Sequence, residues 1–162
     1  MYLAALVFIL PSCEGVGAPA KVTVPVDSVA GEISFRLAGA GGAAIAVPVY
    51  INGHGPVDLI LDTGATLTCV DDELARELAL PQRVGAIGVG ASVGGTGPLR
   101  LVRVDSLRVG GARASDITVC ALDLQGLRAI SPNVHGLLGL NFLKSFRVTI
   151  NFQRRILTLA TP

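Results

Sequence analysis

The sequence predicts an all-β chain, one domain of short strands with one or two short helices. Three observations carry this. Twenty glycines and nine prolines punctuate a 162-residue chain that has few long stretches with helical periodicity. An Asn-Gly pair, Asn52-Gly53, separates two apolar runs, and both residue types tolerate the positive φ that a tight hairpin turn needs. Near the end, Arg147, Thr149 and Asn151 alternate with Val148, Ile150 and Phe152, the period of two that leaves one strand face buried and the other wet. Half of the residues are hydrophobic (51%) and 15% are charged, enough to build a core and too apolar for a disordered chain.

Along the chain, Lys21–Val26 and Glu32–Leu37 read as strands, followed by the loop Ala38–Ala43. Ile45–Ile51 is a strand, Asn52-Gly53-His54-Gly55 a turn, and Pro56–Leu61 a second strand that runs directly into Asp62-Thr63-Gly64-Ala65-Thr66. A helix follows. Asp71 caps it, Asp72 and Glu73 occupy its first turn, Leu74 and Leu78 share a face, and Pro81 stops it. Arg83–Gly97 (RVGAIGVGASVGGTG) reads as a long, mobile, glycine-rich hairpin. Leu99–Val104, Ser106–Val109 and Asp116–Leu122 are strands, and residues 123–135 are loop. Gly136-Leu137-Leu138-Gly139 leads to a helical turn over Asn141–Lys144, and Arg155–Leu159 returns as the last strand. There is no internal repeat.

The first ten residues (MYLAALVFIL) are apolar and uncharged, too few for the roughly 20 that cross a bilayer. They suit the apolar part of an export signal within residues 1–20, with an N-terminal extension over 21–44 and the folded domain over 45–162. Ala18-Pro19-Ala20 has the small-x-small form of a signal cleavage site. Leu10-Pro11-Ser12-Cys13 offers the alternative of a lipoprotein box, with Cys13 acylated and the protein anchored to a membrane. The expected location is therefore periplasmic or extracellular. Cys69 and Cys120 then remain as an even pair in an oxidising compartment. No Cys-x-x-Cys occurs and His54 and His135 stand alone, so no metal site is expected. The net charge is +1 and the 11 arginines are scattered, which argues against nucleic acid as a partner.

Asp62-Thr63-Gly64 carries the chemistry. Three such residues in a row are a weak signal alone, but Asp62 stands where an apolar strand (Val57, Leu59, Ile60, Leu61) breaks into a glycine-containing loop. A carboxylate at the mouth of a hydrophobic core is out of place for a surface residue. The plainer alternative is a loop Asp satisfied by backbone N–H groups. Gly88-x-Gly90 lacks the further glycine and the Gly-Lys-Ser/Thr of a phosphate cradle, and no Gly-x-Ser-x-Gly nucleophile elbow exists.

Ile60-Leu61-Asp62-Thr63-Gly64-Ala65 resembles the active-site loop of the aspartic peptidases, with Ala65 as in the retroviral branch. Gly136-Leu137-Leu138-Gly139 resembles their second signature, in the expected order, so that the likeness spans Ile45 to Leu159 and is nearest to bacterial retropepsin-like proteins. The resemblance implies a single-lobe acid-protease β-barrel, a two-fold homodimer, a peptide or protein substrate, and no cofactor. It implies that Asp62 is the catalytic carboxylate and that Thr63 locks two active-site loops together across the dimer axis. Gly64 and Ala65 complete the loop. Gly136, Leu137, Leu138 and Gly139 back it and help form the substrate cleft, and Arg83–Gly97 is a flap. It also sets Cys120 on a strand beside Cys69, where a disulfide could form. Retroviral enzymes usually carry acidic residues where Thr66 and Leu67 stand. Asn151 occupies a position where related bacterial proteins often carry Asp. A chain with this fold that binds peptide without cleaving it, a dimeric scaffold, is the alternative from another class.

Overall fold

In the computed structural model, residues 21–23, 29–92, 95–128 and 131–161 are described. The expected export segment, Cys13 and the second half of the expected Lys21–Val26 strand lie outside them. No described helix is long and apolar enough to cross a membrane.

The strands are β1 (Lys21–Thr23), β2 (Val29–Ser34), β3 (Arg36–Ala38), β4 (Ala44–Ile51), β5 (His54–Leu61) and β6 (Cys69–Asp71). After helix α1 (Asp72–Glu77) come β7 (Gln82–Ser92), β8 (Gly95–Val109), β9 (Ala112–Leu122), helix α2 (Gln125–Arg128) and β10 (Val134–Leu138). Helix α3 (Leu140–Leu143) precedes the final hairpin of β11 (Arg147–Asn151) and β12 (Ile156–Ala160). The all-β expectation holds; among the described residues there are three short α-helices, where one or two were expected, and a 3-10 turn at Ala40–Gly42.

Pairing closes a barrel. β4 pairs β5, β5 pairs β10, β10 pairs β6, β6 pairs β9, β9 pairs β8, and β8 returns to β4. Closure leaves these six strands without a free edge over their paired length. β11, β12 and β2 form a separate three-stranded sheet. The chain expected as one strand over Glu32–Leu37 divides at Phe35: β2 joins β12 in the small sheet, and β3 joins β4 in the large one. Phe35 is buried between them.

Local chemistry accounts for the turns. Asn52 and Gly53 have φ of 51° and 84°, and the register pairs Ile51 with His54, giving a two-residue turn shorter than the expected four. Asn52 then fastens this turn to β8, accepting from Ser106 N at 3.0 Å and donating its own N–H to Ser106 O at 2.7 Å. Asp71 caps α1 by accepting from Glu73 N. The helix ends before Pro81. Ala79 turns left-handed (φ 49°), Leu80 N bonds Ala75 O and Ala79 N bonds Arg76 O, a Schellman closure that satisfies the last carbonyls.

Two further expectations change. β8 runs unbroken through Asp105, because Asp105 lies on the wet face: Arg103 and Asp105 are exposed while Val102, Val104 and Leu107 are fully buried. The expected loop over 123–135 contains α2; Leu127 within it and Leu124 just before it are buried, three residues apart.

The core has two parts. The larger joins barrel residues such as Val47, Leu59 and Val104 to Phe142 of α3 and to Leu157 and Leu159 of β12. The smaller lies beneath residues 62–65 and includes Ile60, Ala65, Leu137, Leu101, Cys69 and Cys120.

Candidate active site

β5 delivers Asp62 to the end of the barrel. Its last residues, Ile60 and Leu61, run parallel to Leu137 and Leu138 of β10, and Asp62 N continues the ladder by donating to Leu138 O at 3.0 Å. The chain then turns. Ala65 N donates to Asp62 O at 3.3 Å, and Gly64 N donates to the Asp62 carboxylate Oδ1 at 2.8 Å. Asp62 is half-buried, Thr63 and Gly64 are exposed, and Ala65 is buried. The carboxylate is therefore oriented by a backbone donor yet open to solvent on its other side.

β10 passes between the two strands that flank this loop, parallel to β5 and antiparallel to β6. Glycine makes the crossing fit. A Cβ on Gly136 would collide with the Cys69 carbonyl, and one on Gly139 with the Leu67 carbonyl, although neither position has positive φ. These glycines serve close approach of two backbones, where any side chain would force the strands apart.

Downstream, residues 65–68 are fastened to the start of α3. Leu140 N donates to Ala65 O at 2.8 Å and Asn141 N to Thr66 O at 3.1 Å. The Asn141 side chain accepts from Thr68 N at 2.7 Å and from Thr68 Oγ1 at 2.9 Å, and donates from Nδ2 to Thr118 O at 2.8 Å. Thr68 has no exposed surface, and its Oγ1 also accepts from Gly139 N at 3.1 Å. Cys69 faces Cys120 in the parallel pairing of β6 with β9, and the two are joined by a disulfide with Cα atoms 4.4 Å apart.

The structure thus brings Asp62, Thr63, Gly64 and Ala65 together with residues 136–139. Gly136, Leu137, Leu138 and Gly139 are all buried. Leu137 packs in the smaller core part together with Ala65, and Leu138 in the main core. Sequence reasoning did not find Thr68 and Asn141 as part of this site; their partners lie 23 to 73 positions away along the chain, beyond any local pattern.

Around α1 runs a set of ion pairs. Asp72 bonds Arg100 of β8 and Arg76, while Arg128 of α2 bonds Asp71 and Glu73. The Arg100 guanidinium holds the Asp72 carboxyl below its ordinary range against the opposing effect of burial, and Arg76 adds to the lowering. Glu73, then Asp71, raise Arg128.

A closed barrel whose Asp-Thr-Gly loop is threaded against a Gly-Leu-Leu-Gly strand is the single-lobe, retropepsin-like arrangement. Residues 47–142, more than half of the chain, match the family described as aspartyl protease, and the chain belongs to that family. Its fold is similar to a retropepsin-like aspartic protease from Rickettsia conorii (TM-score 0.55, 19% identity, 80% of this chain and 98% of that one). The retroviral protease-like domain of Ddi1 from Leishmania major aligns at TM-score 0.45 with 18% identity, over 74% of this chain and 92% of that one. No curated protein sequence matches the chain.

Proposed function

We propose that the protein is an aspartic endopeptidase that works as a homodimer, with Asp62 of each chain forming one catalytic pair. The observation that carries this reading is the Asp62 loop itself. Its backbone is fixed from both sides, yet Asp62 is only half-buried and Thr63 and Gly64 are exposed, on a chain with one Asp-Thr-Gly.

Peptide hydrolysis by this route needs two carboxylates that share one proton, since like charges about 3 Å apart do not both ionise. The ionised member takes a proton from a bound water, which attacks the scissile carbonyl. The protonated member donates to the carbonyl oxygen as the tetrahedral intermediate forms. A two-fold dimer supplies the second carboxylate from the same gene. In this reading Thr63, which is exposed, meets its counterpart across that axis, and the paired β7–β8 hairpin covers bound peptide.

The decisive test is Asp62→Asn, which keeps shape but removes the charge and the acid proton. The variant is expected to fold and bind peptide while hydrolysis disappears. Mixing it with wild-type chains lowers activity beyond dilution, because mixed dimers hold one carboxylate. Specific activity also falls as chain concentration drops below the dimer dissociation constant. Full hydrolysis by Asp62→Asn, or concentration-independent activity in a proven monomer, sinks the reading. A statine-type transition-state mimic separates the enzyme from a non-cleaving scaffold, since a working pair binds it far more tightly than substrate.

Export belongs to the same proposal. It is supported by the apolar N-terminal ten residues and by the disulfide, which suits an oxidising compartment. Sequencing the mature N-terminus checks it: a cytosolic chain that retains Met1 ends the idea.

A further inference from the structure

We infer that Asn141, acting through Thr68, is a positioning residue that sets the Asp62 loop for catalysis; the inference rests on the peptidase reading of that loop.

The argument starts from what the Asn141 amide must do. On one side stands Thr68 N–H, which can only donate; on the other stands Thr118 C=O, which can only accept. A single short side chain that accepts at one end and donates at the other satisfies both, and the amide of asparagine does so across the gap between residue 68 and β9. Aspartate has the same shape but no donor, and would set a charged oxygen against the Thr118 carbonyl. Thr68 completes the device. Its hydroxyl, on a residue with no exposed surface, donates to Asn141 Oδ1 and accepts from Gly139 N, so it uses both capacities.

The position of this network gives it a catalytic consequence. Asp62 is held upstream by the bond from its N–H to Leu138 O. Downstream, the chain leaving Ala65 is pinned at Ala65 O, Thr66 O and Thr68, in every case by residues 139–141. Thr68 O is also bonded, by Cys120 N at 2.9 Å, so the strand beyond has its own anchor. Removing the Asn141 amide therefore loosens the Thr68 end of the short span from Ala65 to Thr68, which keeps its backbone bonds at Ala65 O and Thr66 O, while the barrel beyond it stays paired. That span ends the turn that bears the carboxylate. In a dyad, the carboxylate must meet its twin within hydrogen-bond reach, and misplacement of about 1 Å costs on the order of a hundredfold in rate.

Two pairs of variants test this. Asn141→Ala and Thr68→Val are expected to lower kcat by roughly tenfold to a hundredfold while KM stays within about twofold. Thr68→Ser, which keeps the hydroxyl, stays near wild type. The two limbs of the pH–rate profile draw together in the first two variants, because carboxylates set further apart couple less. Asn141→Asp has its own signature. It is impaired at neutral pH and recovers as the introduced acid protonates around pH 4, since the neutral acid can again donate to Thr118 O. If Asn141→Ala does not fold, the Thr68→Val and Thr68→Ser pair still decides.

A lowered melting temperature with unchanged kcat and unchanged limb spacing would overturn the inference, leaving the network merely structural. Hydrogen exchange provides an arm that needs no activity. Protection of the Leu140 and Gly64 amides should fall in Thr68→Val and hold in Thr68→Ser. If the wild-type chain cleaves no peptide, the peptidase reading fails, and unchanged protection in Thr68→Val then overturns the positioning of the loop as well.

Discussion

The Asp62 loop and the β7–β8 hairpin are both glycine-containing turns at one barrel, but they are held by different numbers of neighbouring strands. Around the loop, neighbouring backbone presses on Gly136 and Gly139 so closely that a methyl group has no room. In the hairpin, residues 95–99 of β8 pair with β7 alone, and β7 pairs with no other strand among the described residues. β9 begins to share β8 only at Arg100, opposite Ala121. One region is determined from several directions and the other from one. Local stability is therefore expected to be higher around the Asp62 loop than in the outer part of the hairpin.

The disulfide gives the largest effect by which this contrast can be broken. It closes a loop over a separation of 51 residues directly behind the Asp62 loop. In the chain-entropy picture it stabilises by roughly 4 kcal/mol. Reductant should lower the melting temperature of the wild type and leave a Cys69→Ala/Cys120→Ala variant unmoved. Exchange should rise around residues 65–70 before it rises in the outer hairpin. Free thiols in the purified, unreduced protein, with no response to reductant, would count against it.

Glycine substitutions come next. Gly136→Ala or Gly139→Ala should cost about 3 kcal/mol, the upper end of ordinary overpacking, because the obstructing atoms are backbone carbonyls. For a domain of this length that is a fall of about 10 °C in melting temperature. Gly88→Ala in β7 should stay within about 1 kcal/mol of wild type, since alanine loses less chain entropy than glycine and β7 has a single partner strand. Equal losses at all three positions would erase the distinction between the regions.

The same contrast explains what was legible in the sequence. Strands flanking Asn52-Gly53 and the final hairpin announced themselves by periodicity, and Asp71 announced the start of α1, because each signal lies within a few residues of its effect. Asp62-Thr63-Gly64 was legible as a candidate site because a carboxylate interrupts an apolar run. The continuity of β8 was not, because a polar Asp105 on a wet face looks like a turn when its pairing strand is unknown. Likewise α2 was hidden in a short run, since Leu127 and the preceding Leu124 reveal their burial only against β10 and its surroundings. Asn141 was visible as the start of a helical turn, but its reach to Thr68 and Thr118 exists only once three distant segments meet.

The smallest expected effect concerns the root of the hairpin. Arg100 stands where the hairpin leaves the barrel, and its guanidinium is bonded to Asp72 at the start of α1. Because Asp72 has a lowered carboxyl pKa in the folded chain, its contribution is fully present above the unfolded value near 3.8 and is lost as pH falls through the lower folded value. The pair is partly exposed, so its worth is below about 1 kcal/mol after solvent screening. Arg100→Gln should therefore lower the melting temperature by only a few degrees at neutral pH. That deficit should persist down to about pH 5 and shrink at stronger acidity, where Asp72 is neutral in both proteins. Arg76 still bonds Asp72 in the variant, so the pH dependence is reduced and not abolished. Exchange in β7 should quicken in Arg100→Gln at neutral pH while residues 62–68, held by their own bonds, keep their protection. A melting deficit that stays constant into strong acid would separate Arg100 from Asp72, and quickened exchange spread equally over both regions would show that the root of the hairpin and the Asp62 loop open as one unit.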